Sequence, residues 1–131
     1  MPRKKIYEYE ATILRVIDGD TIEANVDVGF RWWGHKMRFR LLGINAPEMK
    51  GPTKLAGEAS RDYLTKILMD HTADADLHII AGGIPVLLRT AEDPDHFGRW
   101  LCTLLVEQDD GTLLDVCAEM ISTGHAVEYV P

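Results

Sequence analysis

Three successive runs of alternating hydrophobicity, all between residues 6 and 44, most constrain the fold. Residues 6–16 (IYEYEATILRV) alternate for most of their length and read as a half-buried strand. The DGD at 18–20 supplies a turn. Ile22, Ala24, Val26 and Val28 then recur at period two, a second strand. Residues 29–34 read as a loop carrying two exposed tryptophans. Residues 36–44 form a third strand, with Met37, Phe39 and Leu41 on one face and Arg38 and Arg40 on the other. Pro47 ends it. Connections this short predict an antiparallel meander.

The rest of the chain mixes helices with strands. Residues 54–69 have helical spacing through Leu55, Ala59, Tyr63, Leu64 and Leu68. Residues 70–85 are polar and then glycine-rich, with room for a short strand at 77–80. Residues 86–90 read as a strand, 91–98 as a loop, 99–106 as the next strand and 109–111 as a turn. Asp115 fits the N-cap of a helix over 116–123, with Gly124 at its C′ position. The tail HAVEYVP returns extended. This order predicts a mainly β fold with helices: a small five-stranded barrel, as in an OB-fold, with two or more α-helices. An open α+β sandwich is the alternative. At 131 residues and 46% apolar, one domain spanning 1–131 is expected.

Charge is unevenly spread. The chain carries a net −7, but residues 1–66 sum to +3 and residues 67–131 to −10. RWWGHKMRFR at 31–40 interleaves four Arg/Lys and a histidine with Trp32, Trp33 and Phe39. Such a stretch suits a phosphate backbone with exposed bases; a charged edge strand explains it equally well. The basic N-terminus lacks an apolar run behind it, so a cytoplasmic protein is expected, or a secreted one if a leader has been trimmed away. No stretch approaches the roughly 18 apolar residues of a membrane span. Cys102 and Cys117 have no metal-binding spacing and read as two buried thiols in a reducing compartment.

The meander also gathers chemistry. It brings the turn bearing Asp18, Asp20 and Thr21 to the same edge as Asn45, Ala46 and Glu48 at the end of strand three. Oxygen donors converging there, without sulfur or imidazole, suit a hard cation. Taken singly, DGD is an ordinary turn and Glu48 a surface carboxylate. Arg40, on the polar face of the same strand, points toward this edge or into a surface ion pair. With Arg99, it would make a two-pronged clamp for phosphate.

VIDGDTI (16–22), RLLGINAPE (40–48), GEAS (57–60), DHFGRWL (95–101) and GHAVEYV (124–130) together resemble the staphylococcal (micrococcal) nuclease family, in order and spacing over residues 6–130. The resemblance implies an OB barrel and a calcium-dependent hydrolase. It would cut DNA and RNA phosphodiesters with low sequence specificity and leave 3′-phosphates. By the same likeness, Asp20, Asn45 and the Ala46 carbonyl are expected to ligate one Ca²⁺, other divalent metals being admitted by Asn45, which stands where the family usually has aspartate. Arg40 and Arg99 match the phosphate-binding arginines and Glu48 the water-activating carboxylate. Tyr129, His96 and Phe97 fall at substrate-binding positions, the last two where the family often has lysine and tyrosine. Cys117 falls where it often has a helix-start asparagine. Nucleic acid is the expected partner, no membrane is, and the chain is expected to act as a monomer. A non-catalytic module binding nucleic acid or protein is the alternative, and a phosphodiesterase for small nucleotides a third reading.

Overall fold

In a computed structural model, residues 7–70, 83–94, 100–108 and 110–129 are described. The meander is β1 (Tyr7–Asp18), β2 (Thr21–Gly29) and β3 (Trp32–Leu41), all antiparallel. A short β4 (Ile44–Asn45) follows, then α1 (Lys54–Asp70), β5 (Ile84–Pro94) and β6 (Trp100–Glu107). The last elements are β7 (Leu113–Asp115), α2 (Val116–Ser122) and β8 (Val127–Glu128).

The main sheet runs β3-β2-β1-β5-β6-β7, and a parallel pairing of β3 with β6 closes it into a ring. Phe39, Arg40 and Leu41 lie opposite Trp100, Leu101 and Cys102 in that seam. The fold is thus mainly β, with two helices among the described residues. The inward positions of the strands (Ile13, Ile22, Phe39, Leu41, Leu88, Leu104) are 0–2% exposed. Each such side chain contributes on the order of 1.5–3 kcal/mol through burial. Leu64 and Leu68 of α1 and Val116 and Met120 of α2 complete the core. Both cysteines are buried within it as free thiols. Burial pushes both thiols above their ordinary pKa, that of Cys117 to about 12 with help from the Asp115 charge. Among the described residues, no helix is long and apolar enough to cross a membrane.

Several local expectations are corrected. Only Phe30 and Arg31 form the β2–β3 turn, both at positive φ (56° and 63°), so the two tryptophans stand on β3 and not in a loop. That strand ends at Leu41, because Gly43 turns at φ 78° before β4. The expected loop at 91–98 starts later, since β5 continues to Pro94. The strand suggested at 77–80 lies outside the described residues. In α1, Leu55 is 82% exposed, and Ala59 is exposed as well. The buried stripe is Gly57, Ser60, Leu64, Ile67 and Leu68. Its N-terminal half is small because the helix runs directly against backbone. The N-cap holds as expected: Asp115 accepts a hydrogen bond from the Ala118 amide at 3.2 Å. Gly124 follows α2 at φ 80°.

Gly57 measures how close that approach is. A Cβ there would lie 2.5 Å from the Glu48 carbonyl oxygen and 2.8 Å from the Met49 nitrogen. Alanine favours a helix over glycine by about 0.8–1.0 kcal/mol, but overpacking against unyielding backbone costs about 1–3 kcal/mol. Gly57→Ala is therefore expected to lower stability, by up to about 2 kcal/mol. Urea unfolding measures it, and a stabilised variant would mean that α1 stands off the 48–49 segment.

Candidate functional site

Asp20 leaves β1 through the tight DGD turn, where its amide donates to Asp18 Oδ1 at 3.0 Å. The turn needs a glycine at its centre. A Cβ on Gly19 would lie 2.0 Å from Ser60 Oγ of α1 and 2.7 Å from the Ala46 side chain. The DGD turn, the 45–48 segment and α1 are therefore pressed together. Ser60, fully buried, donates to the His125 carbonyl at 2.7 Å and ties in the chain after α2. His125 stacks flat on Tyr63, with ring centroids 3.9 Å apart.

The Asp20 carboxylate is nearly buried, at 8% exposure for the residue. Its Oδ2 accepts from the Ala46 amide, 26 residues on, at 2.9 Å and pairs with Arg40 NH1 at 2.6 Å. Its Oδ1 accepts from the Thr21 hydroxyl at 3.1 Å. NH2 of Arg40 donates to the Ile44 carbonyl at 3.1 Å and to Asn45 Oδ1 at 3.2 Å. One guanidinium thus bridges the two side chains expected to hold a metal. Tyr129 donates its amide to the Gly43 carbonyl at 2.9 Å, and its ring lies 5.7 Å from the Arg40 guanidinium. A cavity of about 300 Å³ opens beside these groups, lined by Asn45, Ala46, Pro47, Thr53, His125 and Val127.

The two aspartates of the turn have opposite electrostatics. Burial raises Asp18, to about 6, and the neighbouring Asp20 adds to the shift. Burial also works against the charge on Asp20, but Asp18, the Ala46 amide and Arg40 outweigh it and hold Asp20 below the usual carboxylate range. Asp20 is therefore the fixed anion of the pair.

Of the residues singled out from sequence, Asp20, Arg40, Asn45, Ala46 and Tyr129 come together. Ala46 meets Asp20 through its amide, whereas its carbonyl was the atom expected to matter. The Glu48 side chain is exposed, and its backbone carbonyl accepts from the Thr53 hydroxyl at 2.8 Å. His96, Phe97 and Arg99 lie outside the described residues. Sequence reasoning put Thr21 at this edge and Tyr63 on the helix but missed the supporting roles of Ser60 and His125. Only the GEAS and GHAVEYV motifs pointed to that region, and neither residue type announces a core role.

The donors at this edge are all oxygen, which fits a hard cation of the calcium type. Among the described residues, no group of three or more His, Cys, Asp or Glu is placed to hold a metal ion. Any cation here relies on Asp20, the Asn45 amide oxygen, main-chain carbonyls and water. No family model matches the chain.

The Asp20–Arg40 pair is largely shielded, its side chains being 11% and 13% exposed. Removing one partner of such a pair strands the other charge. Arg40→Met is expected to destabilise the fold by about 3 kcal/mol, and the double variant Asp20→Asn/Arg40→Met by clearly less than the sum of the single changes. Denaturant unfolding of the four proteins gives the coupling; strictly additive losses would mean that the pair does not hold the edge together.

Proposed function

We propose that the chain is a calcium-dependent nuclease. It would hydrolyse phosphodiesters of DNA and RNA with low sequence specificity and leave 3′-phosphate ends, on an OB-type barrel. The observation that carries this reading is the single Arg40 guanidinium held between Asp20 and Asn45, the second of which also lines a cavity of about 300 Å³. A core ion pair does not need a third, amide oxygen or an aromatic ring at its rim. The oxygens gathered round this guanidinium are donors that a hard cation would also use.

Asp20, the Asn45 amide oxygen and the Ala46 carbonyl would hold the calcium, which supplies Lewis acidity toward a phosphoryl oxygen. Asparagine keeps an oxygen at position 45 but gives up one negative charge, and ligand charge sets calcium affinity. The site is therefore weaker than one built on two carboxylates. Arg40 presents a planar fork matched to two phosphate oxygens, and Arg99 is assigned the same role from sequence. Charge growing on the phosphoryl group is stabilised by such fixed donors. Exposed Glu48 is free to orient an attacking water and take its proton. Tyr129 borders the phosphate position and would pack against the sugar or base.

One observation favours the second reading, a binding module without catalysis. Both described amino groups of Arg40 already donate to internal acceptors. If that arrangement is permanent, neither a metal nor a phosphate can use it. Plasmid digestion separates the two. With Ca²⁺ the protein is expected to nick DNA, with EDTA it is not, and Glu48→Gln is expected to lose about 10²–10⁴ in rate. Absence of metal-dependent nicking at micromolar protein selects the module. Asn45→Asp is expected to lower the calcium concentration needed for half-maximal rate. An unchanged requirement would remove Asn45 from the ligand set.

A further inference from the structure

The outer end of the β2–β3 arm is not used by the site just described. It carries the most exposed aromatic residue of the described chain, Phe30 at 97%, followed by Trp32 at 73% and Trp33 at 46%. Trp33 lines a cavity of about 540 Å³ together with residues of β1, β5, β6 and β7. Phe30 and Trp32 project at the tip. Between them is exposed Arg31, and exposed His35 and Lys36 follow on the same strand, ahead of Arg38, which pairs with Glu23 of β2 at 3.6 Å. Residues 29–38 contain three Arg/Lys and no acid, on a chain whose net charge is −7, while the facing strand sets Asp27 opposite Trp33 and Glu23 opposite Arg38.

The tip is also built against local preference. A two-residue hairpin turn with both central residues at positive φ favours Asn-Gly or Gly-Gly. Here Phe30 and Arg31 take those positions, at φ 56° and 63°. A left-handed conformation costs a residue bearing a Cβ on the order of 1–2 kcal/mol. Exposed at 97%, the Phe30 ring recovers little of that through packing.

Two rings flanking a guanidinium, with further cations along one strand, are the elements of a stacking platform for unpaired bases and their phosphates. A lipid surface would also attract the cations, but two projecting apolar side chains bury little area in a membrane, and stable anchoring needs more. Trp32 of the tip and Arg40 also lie on one continuous strand, β3. Trp32 and Arg40 stand eight steps apart on β3, roughly 25 Å at about 3.3 Å per residue, a span of several nucleotides.

We infer that the Phe30-Arg31-Trp32 tip is a second, non-catalytic contact that grips single-stranded nucleic acid by base stacking and leads it along β3 toward Arg40. The inference builds on the nuclease reading for the direction of the strand, while the grip itself needs neither metal nor hydrolysis. Fluorescence anisotropy of a labelled 16-nucleotide oligo-dT, titrated in EDTA, tests it on the full chain. Phe30→Ala and Trp32→Ala are each expected to weaken binding roughly five- to hundredfold, and Trp32→Phe to restore most of the loss. Both side chains are exposed, and unchanged urea midpoints would show the variants folded. Equal affinity of parent and alanine variants overturns the inference, as does failure of the parent to bind. So does a loss confined to anionic phosphatidylserine vesicles, which would make the tip a lipid contact. A protein that cuts DNA yet binds oligo-dT equally without Trp32 loses this inference and keeps the nuclease reading. One that cuts nothing yet loses its grip does the reverse.

Discussion

A buried carboxylate must find donors, and the way Asp20 finds them organises one end of this molecule. One of its oxygens takes the Arg40 guanidinium from β3 and the Ala46 amide from the segment after β4. Without Arg40 the carboxylate would be an uncompensated charge at 8% exposure, and without the Ala46 amide it would lose a buried hydrogen bond. The demand fixes the DGD turn relative to the end of β3. It also brings Asn45 to the far side of the same guanidinium. The seam in which β3 meets β6 runs through Arg40 as well, so ring closure and site assembly share a residue.

Close packing against two glycines, by small side chains at one and by backbone at the other, supplies the second constraint. Gly19 lies against Ser60 and Ala46, and Gly57 against the Glu48–Met49 backbone. The helix thereby acts as a plate behind the two segments that carry Asp20 and Glu48. Ser60 and Tyr63 extend that plate to the stretch after α2, through the His125 carbonyl and ring. The Asp20 and Asn45 oxygens are thereby held in place around the Arg40 guanidinium.

Much of this was legible in the residues, and for identifiable reasons. Period-two alternation over residues 6–44 exposes the meander because one face of each strand meets the core and the other meets solvent. Asp115 and Gly124 bracket α2 because helix ends demand specific partners. Asp20, Arg40 and Asn45 were found through the topology, as neighbours far apart in sequence. The α1 stripe was misread because Gly57 and Ser60 are chosen for smallness, which a search for apolar side chains overlooks. The β2–β3 turn was misread because Phe30 and Arg31 give no turn signal of the Gly or Asn kind. The use of the Ala46 amide is a main-chain contact, and no side-chain pattern encodes it.

The proposed nuclease function requires the Asp20–Arg40 pair to open when a divalent cation and a phosphate are both present, the cation going to Asp20 and the phosphate to Arg40. Each ligand then removes part of the obstacle to the other, so their affinities must be coupled, and reciprocally so. Calorimetric titration of Ca²⁺ with and without a nucleoside monophosphate measures this directly. The account predicts that the nucleotide tightens calcium by about five- to hundredfold. Calcium affinity that is the same with and without nucleotide, or no calcium binding in either case, would contradict it.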